Sequence, residues 1–283
     1  MRGRVPDMDA VMEIVDRFGL YLIEDAAHAY GCEWKNQKIG TFGKIATMST
    51  QANKLINAGE GGFLLTDDDD VMARSIIHAG AYEMLMKKHH EMCPPMELML
   101  EYRFKLPNYS VRMTNLQGAV ILPQIALIES RRDDHNKSYE RLAALINKHE
   151  SGRLFAPPQL SDVTPVYDSL QMRVKGLNES GMRAFAKALG EHGVGGVAAF
   201  GWAENARNYK TWQFIADDLL QPEDFKKTTR HIEDTLDARL ALGMTEKDVD
   251  KMYNAISAAF LPFWSSDITQ EPEARPSVED GRW

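Results

Sequence analysis

Apolar residues near the start of the chain recur with the spacing of a helix that buries one face. They are Met8, Val11, Met12, Val15 and Phe18, and this i, i+3, i+4, i+7 pattern predicts a helix that Gly19 ends. Three continuous apolar runs then have the character of strands buried in a sheet: Leu20–Ile23, Ile45–Met48 and Phe63–Thr66. Together they predict an α/β fold with a mostly parallel sheet covered by helices.

Polar side chains follow two of these strands. Asp25 comes directly after the first, and the segment from Ser49 to Lys54 follows the second and leads into the glycine-rich Gly59–Gly62. Ligands of open α/β sheets bind beyond the strand ends, so we expect Asp25 and Lys54 to lie near each other. Taken alone, the same window equally fits a solvated lysine beside a glycine-rich turn.

The middle of the chain contains an acidic run, an irregular segment and a long helical pattern. Asp67–Asp70 is expected to cap the helix that follows it, in preference to a metal site, because negative charge is favoured at a helix N-terminus. Residues 80–110 are methionine-rich and predict a mobile surface excursion that borders the active site, with His89 and His90 solvated. From residue 114 to 149 the pattern is helical, and Pro123 should kink or divide it.

Beyond Pro157-Pro158 the pattern changes to that of a small α+β domain. Alternation predicts a strand at Ser169–Val174, and helical spacing predicts helices at Glu179–His192 and Glu246–Phe260. The polar residues 265–283 are expected to be disordered. We therefore predict a large domain over residues 1–128 and a C-terminal small domain over residues 129–264.

Composition narrows the class of partner. The chain has 283 residues with 33 basic and 41 acidic side chains, a net charge of −8, which leaves no electrostatic footprint for nucleic acid or an anionic membrane. A small molecule is the expected substrate. The two cysteines, Cys32 and Cys93, form no CxxC pattern, which argues against a zinc site or a disulfide framework and favours the cytoplasm. No apolar run approaches the ~18 residues that suggest a membrane span.

Four segments, taken in order, resemble one known family. They are YLIEDAAHAYG at Tyr21–Gly31, MSTQANKLINAGEGG at Met48–Gly62, NYSVRMTNLQ at Asn108–Gln117 and GMTEKDV at Gly243–Val249. This pattern resembles the DegT/DnrJ/EryC1/StrS family, whose members are fold type I aminotransferases that use pyridoxal 5'-phosphate (PLP) and act on keto sugars and cyclitols. An unrelated α/β binding protein would require this agreement to be accidental.

The resemblance implies a role for each matching residue. Lys54 stands at the family's Schiff-base position and would also move the proton during catalysis. Asp25 would pair with the pyridine nitrogen, although a carboxylate that caps the following turn is the alternative. His28 would lie against the cofactor ring, or be a structural histidine.

Three further positions match cofactor-binding positions of the family. Ser49 matches the serine that binds this phosphate, and Gln51 matches a position that is histidine or glutamine in the family. Asn108 matches an asparagine that reaches the cofactor of the neighbouring subunit, which implies a homodimer. No metal is implied.

The resemblance favours amino transfer from glutamate or glutamine to a keto sugar or cyclitol, because relatives that act as dehydratases or isomerases replace the lysine with histidine. The family also has an N-terminal segment with a Ser-Gly-Thr turn that binds the PLP phosphate, and this sequence starts after it. The alternative expectation is therefore a truncated or non-catalytic subunit that needs a separately encoded N-terminal partner.

Overall fold

The computed structural model describes residues 2–84, 93–215 and 222–264, which form two compact units. The first unit contains the chain up to Arg132 together with Ser161–Val166, and the second contains Asp133–Leu160 and the chain from Tyr167 onward. The predicted solvated pair His89-His90 and the predicted disordered tail, residues 265–283, lie outside the described residues.

The first unit is built on a three-stranded sheet with one helix before it. Helix α1 spans Met8–Phe18, and strands β1, β4 and β5 span Ile23–Asp25, Ile45–Ser49 and Gly62–Leu65. In the order β1-β4-β5, β1 and β4 are parallel, whereas β4 and β5 are antiparallel. A second small sheet joins β2 (Glu33–Trp34), β3 (Gln37–Lys38) and β7 (Val163–Thr164) in the order β3-β2-β7.

The predicted helix and strands are present, but the predicted burial was wrong for α1, β1 and β5, the last of which has Leu64 43% exposed. Along α1 only Met8 is buried, and Phe18 is 62% exposed. The first strand begins at Ile23 and not at Leu20, and Ile23 is 66% exposed. The physical reason is that side chains of a strand alternate between the two faces of the sheet, and burial along β1 alternates exposed, buried, exposed, so Ile23 lies on a face that no other described element covers.

The acidic run caps a helix, as expected. Helix α2 spans Asp69–Ala79, and the side chain of its N-cap residue, Asp68, accepts a hydrogen bond of 2.8 Å from the backbone N–H of Val71. Asp70 binds Arg74 at 2.7 Å and also accepts a hydrogen bond from the Tyr102 hydroxyl. Helix capping and ion pairing therefore explain the acidic run.

Part of the segment 80–110 is regular structure, within the described residues 80–84 and 93–110. It contains helix α3, Met96–Tyr102, which packs on α2 through a cluster of Ala73, Ile77, Met99 and Tyr102. The prediction of an irregular excursion over this whole range was therefore wrong. Met99 and Tyr102 are buried against α2, whereas the apolar Leu100 is 48% exposed, so the apolar positions of this seven-residue helix gave no clear periodicity.

The long helical pattern divides into two helices. Helix α4 spans Asn115–Ile125 and helix α5 spans Ile128–Asn147, so the break falls just after Pro123. Thr114 and Gln117 form a capping box that fixes the start of α4. Only Ile121 is buried along α4, whereas Leu116 is 76% exposed. Helix α5 continues from the first unit into the second.

The second unit contains a four-stranded antiparallel sheet in the order β6-β8-β10-β9. Its elements are β6 (Leu154–Phe155), β8 (Ser169–Val174), α6 (Glu179–Glu191), β9 (Ala198–Ala199), α7 (Lys226–Glu233), β10 (Thr235–Arg239) and α8 (Glu246–Phe260), with 3-10 turns at Tyr209–Thr211, Pro222–Phe225 and Leu261–Phe263. Helices α6 and α8 bury Phe185 and Phe260 in its core. Within the described ranges, no helix combines the length and the apolar character that crossing a bilayer requires.

Candidate active site

The parallel pairing of β1 and β4 brings two sets of polar residues to the same edge of the sheet. Asp25 lies opposite Thr47 in the register, and the backbone N–H of Ala26 donates to the carbonyl of Thr47 at 2.9 Å. Ser49 ends β4 two residues further on. Strand ends at a common edge are where ligands of α/β proteins bind, so the geometry places these side chains at a candidate site.

A buried carboxylate fixes the turn region beside the end of β1. Glu24 is 7% exposed, and its two carboxylate oxygens accept hydrogen bonds from the backbone N–H groups of Gly40, Phe42 and Gly43 at 2.8, 2.8 and 2.6 Å. Three such bonds compensate the cost of burying the charge. Glu24 therefore has a structural role, and its neighbour Asp25 is exposed at the strand end.

The amine of Lys54 contacts the imidazole of His28. The two atoms, Nζ and Nε2, are 2.7 Å apart, and both side chains are half-buried. His28 lies in the turn after β1, and Lys54 lies in the loop after β4, so the parallel strand pair brings them together. The imidazole of His28 can accept a proton from the amine that it contacts, or donate one to it.

The other predicted residues of this loop, and Asp25 at the end of β1, form hydrogen bonds with neighbouring residues of the chain. Asp25 accepts a hydrogen bond of 3.2 Å from the backbone N–H of Ala27, which is the turn-capping contact expected as its alternative role. The Ser49 hydroxyl accepts one of 3.3 Å from the backbone N–H of Gln51, and the Gln51 carbonyl oxygen accepts one from the backbone N–H of Lys54 at 2.9 Å. These contacts leave the Asp25 carboxylate exposed and the Ser49 hydroxyl able to donate.

Asn108 belongs to a different part of the first unit. Its side-chain oxygen accepts hydrogen bonds from the backbone N–H and the hydroxyl of Ser110 at 2.7 and 3.2 Å. Next to it, the backbone N–H of Tyr109 donates to the carbonyl of His78 at 2.9 Å, and the rings of these two residues stack. The structure thus groups Lys54 with His28 and places Asn108 beside the end of α2.

Two residues that the sequence did not single out hold the lysine loop. Gln124 of α4 and Arg131 of α5 donate hydrogen bonds of 2.7 and 2.8 Å to the carbonyls of Asn57 and Leu55. The available signal was weak, because a glutamine and an arginine seven positions apart resemble an ordinary polar helix face.

Near the loop, burial raises the pKa of Tyr30 to about 12, so this phenol stays neutral.

The chain matches the model of the DegT/DnrJ/EryC1/StrS aminotransferase family over residues 1–257. It belongs to this family. All four segments that carried the resemblance lie within the matched residues.

Three curated relatives are similar to parts of the chain. GDP-perosamine synthase of Caulobacter vibrioides is 35% identical over 140 residues, which cover 50% of this chain and 33% of the relative. 3-Amino-5-hydroxybenzoate synthase of Amycolatopsis mediterranei is 29% identical over 203 residues, 71% of this chain and 49% of the relative. L-Glutamine:scyllo-inosose aminotransferase of Streptomyces griseus is 33% identical over 138 residues, 49% of this chain and 32% of the relative. The chain thus spans a third to a half of these relatives.

Solved structures agree on the fold. A crystal structure of 3-amino-5-hydroxybenzoic acid synthase matches with a TM-score of 0.74 at 21% identity, covering 93% of this chain and 66% of that one. The protein Spr1654 of Streptococcus pneumoniae in its PMP form matches with a TM-score of 0.73 at 15% identity, covering 92% and 67%. At these identities the likeness establishes the aminotransferase fold.

Proposed function

We propose that this chain carries the reactive lysine of a PLP-dependent aminotransferase that moves an amino group from glutamate or glutamine to a keto sugar or cyclitol. The observation that carries the proposal is the 2.7 Å contact between the Lys54 amine and the His28 imidazole at the strand edge that also bears Asp25. Membership of an aminotransferase family supports the reaction class. The glutamine and the inosose in one relative's name support the donor and the acceptor.

The side chains present fit PLP by their chemistry. The cofactor offers an aldehyde, a pyridine nitrogen and a phosphate, and the site offers an amine at Lys54, a carboxylate at Asp25 and a hydroxyl at Ser49. A half-buried amine can reach the aldehyde, and an exposed carboxylate at the strand end can pair with a protonated ring nitrogen. When bound, PLP supplies the electron-withdrawing ring and the carbon that carries the amino group between donor and acceptor.

Each residue then has a task that its position supports. Lys54 would hold the cofactor covalently and, once displaced by the donor, move the proton at the substrate carbon. His28 orients the Lys54 amine through the contact at their nitrogens. Asp25 would keep the ring nitrogen protonated, since a nearby negative charge favours the cationic form. Ser49 would bind the phosphate, and Gln51, whose backbone N–H donates to the Ser49 hydroxyl, would bind the cofactor next to it.

The assembly around this site is also proposed. We infer a homodimer in which Asn108 reaches the partner's cofactor; the support is its exposed side chain at the end of α2 and the exposed apolar residues of α4. A cytoplasmic location is supported by two free thiols, Cys32 and Cys93. The assignment of residues 1–128 to a partial large domain that binds the cofactor, and of residues 129–264 to the small domain, stays a prediction.

Because the chain spans a third to a half of its curated relatives, we keep one alternative: a second polypeptide completes the cofactor site. In that case the chain by itself retains little PLP and transfers no amino group. Copurification of the untagged partner from the source cells, with recovery of activity when the two are mixed, would support this alternative. Full activity of the chain by itself would exclude it.

The activity is tested by following an isotopic label from the amino group of the donor to the product. The full chain is incubated with PLP, glutamine labelled with ¹⁵N at its α-amino group, and either scyllo-inosose or a GDP-linked keto sugar. We expect ¹⁵N in the amine of one product, and none with Lys54→Ala. Lys105→Ala serves as the control, because Lys105 forms an exposed ion pair with Glu101 on α3. Transfer by the Lys54 variant at the rate of the unmodified chain would contradict the proposal.

A further inference from the structure

The loop that carries Lys54 is neither helix nor strand, so contacts other than a regular backbone hydrogen-bond ladder must fix its shape. Backbone hydrogen bonds close its base: the N–H of Thr50 donates to the carbonyl of Gly61 at 2.9 Å, and that of Ala58 donates to the carbonyl of Thr50 at 3.0 Å. At its centre, Ile56 is 1% exposed and packs in an apolar cluster with Tyr30 and Ile121. Apolar packing is non-directional, and therefore does not by itself set the direction of the Lys54 side chain.

Directional contacts come from one glutamine. The Gln124 amide donates to the carbonyl of Asn57 at 2.7 Å and to that of Val120 at 2.9 Å. Its oxygen accepts from the backbone N–H of Asn57 at 3.3 Å and from Nη1 of Arg131 at 2.9 Å. A primary amide has two N–H donors and two acceptor lone pairs, so Gln124 uses its full capacity in a single orientation.

Arg131 completes the network. Its Nη1 also donates to the carbonyl of Leu55 at 2.8 Å, and the Asn57 side chain donates to the carbonyl of Lys54 at 3.3 Å. The two helix residues thus hold the backbone of the residue directly after Lys54 and of the residue three positions after it. A charged donor makes the stronger kind of hydrogen bond, and a network in which every group is satisfied is rigid.

We propose that Gln124 and Arg131 are positioning residues, which fix the Lys54 loop so that its amine stays within reach of His28 and of the cofactor aldehyde. The inference rests on the proposed function and deepens it, because it adds two residues that touch neither cofactor nor substrate. A reacting group displaced by about 1 Å can lose about two orders of magnitude in rate, which is why the support of the loop matters.

Gln124 and Arg131 also join α4 to α5, so the test must separate positioning from stability. We compare Gln124→Met and Arg131→Met with Arg131→Lys, which keeps one charged donor, and with Gln37→Met. Gln37 is an exposed glutamine whose amide binds Thr41, so its variant carries the same substitution without touching the lysine loop.

Two readouts decide the question in the full chain. The first is the rate at which borohydride traps a pyridoxyl group on Lys54 at a fixed, limiting PLP concentration. We expect it to fall about tenfold in both methionine variants, to recover in part in Arg131→Lys and to stay unchanged in Gln37→Met. The second is hydrogen exchange, which should quicken in peptides that span residues 51–58 and stay unchanged in the sheet of the second unit.

The outcomes distinguish the two proposals. Normal trapping and normal exchange at residues 51–58 in both methionine variants would overturn the positioning role. No trapping on Lys54 in the unmodified chain would count against the proposed function, while hydrogen exchange still tests whether Gln124 and Arg131 hold the loop. If a methionine variant does not fold, Gln124→Glu replaces it, since this variant keeps the acceptor for Arg131 but loses both donors; unchanged trapping and exchange in it would again overturn the role.

Discussion

The Lys54 amine lies 2.7 Å from Nε2 of His28, although the two residues are 26 positions apart in the sequence. The parallel pairing of β1 and β4 creates this proximity, because both residues follow the C-terminal ends of these strands. The lysine is therefore oriented by a specific partner and is not a solvated side chain on a flexible turn.

Removing the imidazole should slow the chemistry of the lysine. In His28→Ala the amine loses the group that orients it, and we expect borohydride trapping of PLP on Lys54 to slow about tenfold. His192→Ala is the matched control, because His192 is exposed after α6 in the second unit and should leave the trapping rate unchanged. Equal rates in both variants would show that the contact does not orient the amine.

The buried carboxylate of Glu24 should contribute strongly to stability. Glu24→Ala leaves three backbone N–H groups without their acceptor, and we expect the free energy of unfolding to fall by about 3 kcal/mol in urea titrations. The control is Glu101→Ala, which removes an exposed i,i+4 ion pair with Lys105 and should change stability by less than about 0.5 kcal/mol. A loss at Glu24 no larger than at Glu101 would refute the assigned role.

Tyr30 and Tyr102 should respond in opposite ways to loss of the hydroxyl. The Tyr30 hydroxyl is buried and has no hydrogen-bond partner among the described residues, so Tyr30→Phe should leave the free energy of unfolding unchanged or raise it by up to about 1 kcal/mol. Tyr102→Phe loses hydrogen bonds with Asp70 and Arg74 and should lower it. Calorimetric melts of the two variants at one pH provide the comparison, and a clear destabilisation by Tyr30→Phe would be the contrary result.

The second unit should lose stability in mild acid through His149. This side chain is 5% exposed, and burial lowers its pKa below the ordinary value of 6.5. The folded state therefore favours the neutral ring, so the stability is present above pH 6.5 and is lost as the pH falls through the lower folded pKa. Burial and the nearby Arg173 lower the pKa of His231 as well, and this adds a further loss of stability as the pH falls.

The His149 prediction is checked by urea titrations at pH 7.5 and pH 5. The difference in unfolding free energy between the two pH values should be smaller in His149→Phe than in the unmodified chain. His192→Phe, at an exposed position after α6, is the control and should keep the original difference. An unchanged pH difference in the His149 variant would mean that its protonation is not linked to folding.

The elements that the sequence predicted best are those that local pattern alone determines. Ser169–Val174 and Glu246–Phe260 were predicted with the bounds observed, because strand alternation and helical periodicity are complete there. Thr245 and Asp248 add a capping box that fixes the start of α8. The strand pattern led to Lys54, whereas His28 was found only through the family resemblance.

What the sequence could not predict depends on distant neighbours. Ile23 lies on a face of the sheet that no other described element covers, and no local pattern encodes which face is covered. The contacts of Gln124 with Asn57 and of Arg131 with Leu55 join positions 67 and 76 residues apart. A glutamine and an arginine on helices give no local sign of such partners, because they resemble an ordinary polar helix face.

The central claim is that Lys54 is the amine that reacts with PLP, and a single mapping experiment tests it. The full chain is incubated with PLP, reduced with borohydride and digested, and the modified lysine is identified by mass spectrometry, with Lys54→Ala treated in parallel. We predict a pyridoxyl group on Lys54 at low PLP concentration, together with its loss and no replacement in the variant. Folded protein that carries no modification on Lys54, or that is modified equally on exposed lysines such as Lys105, would contradict the account.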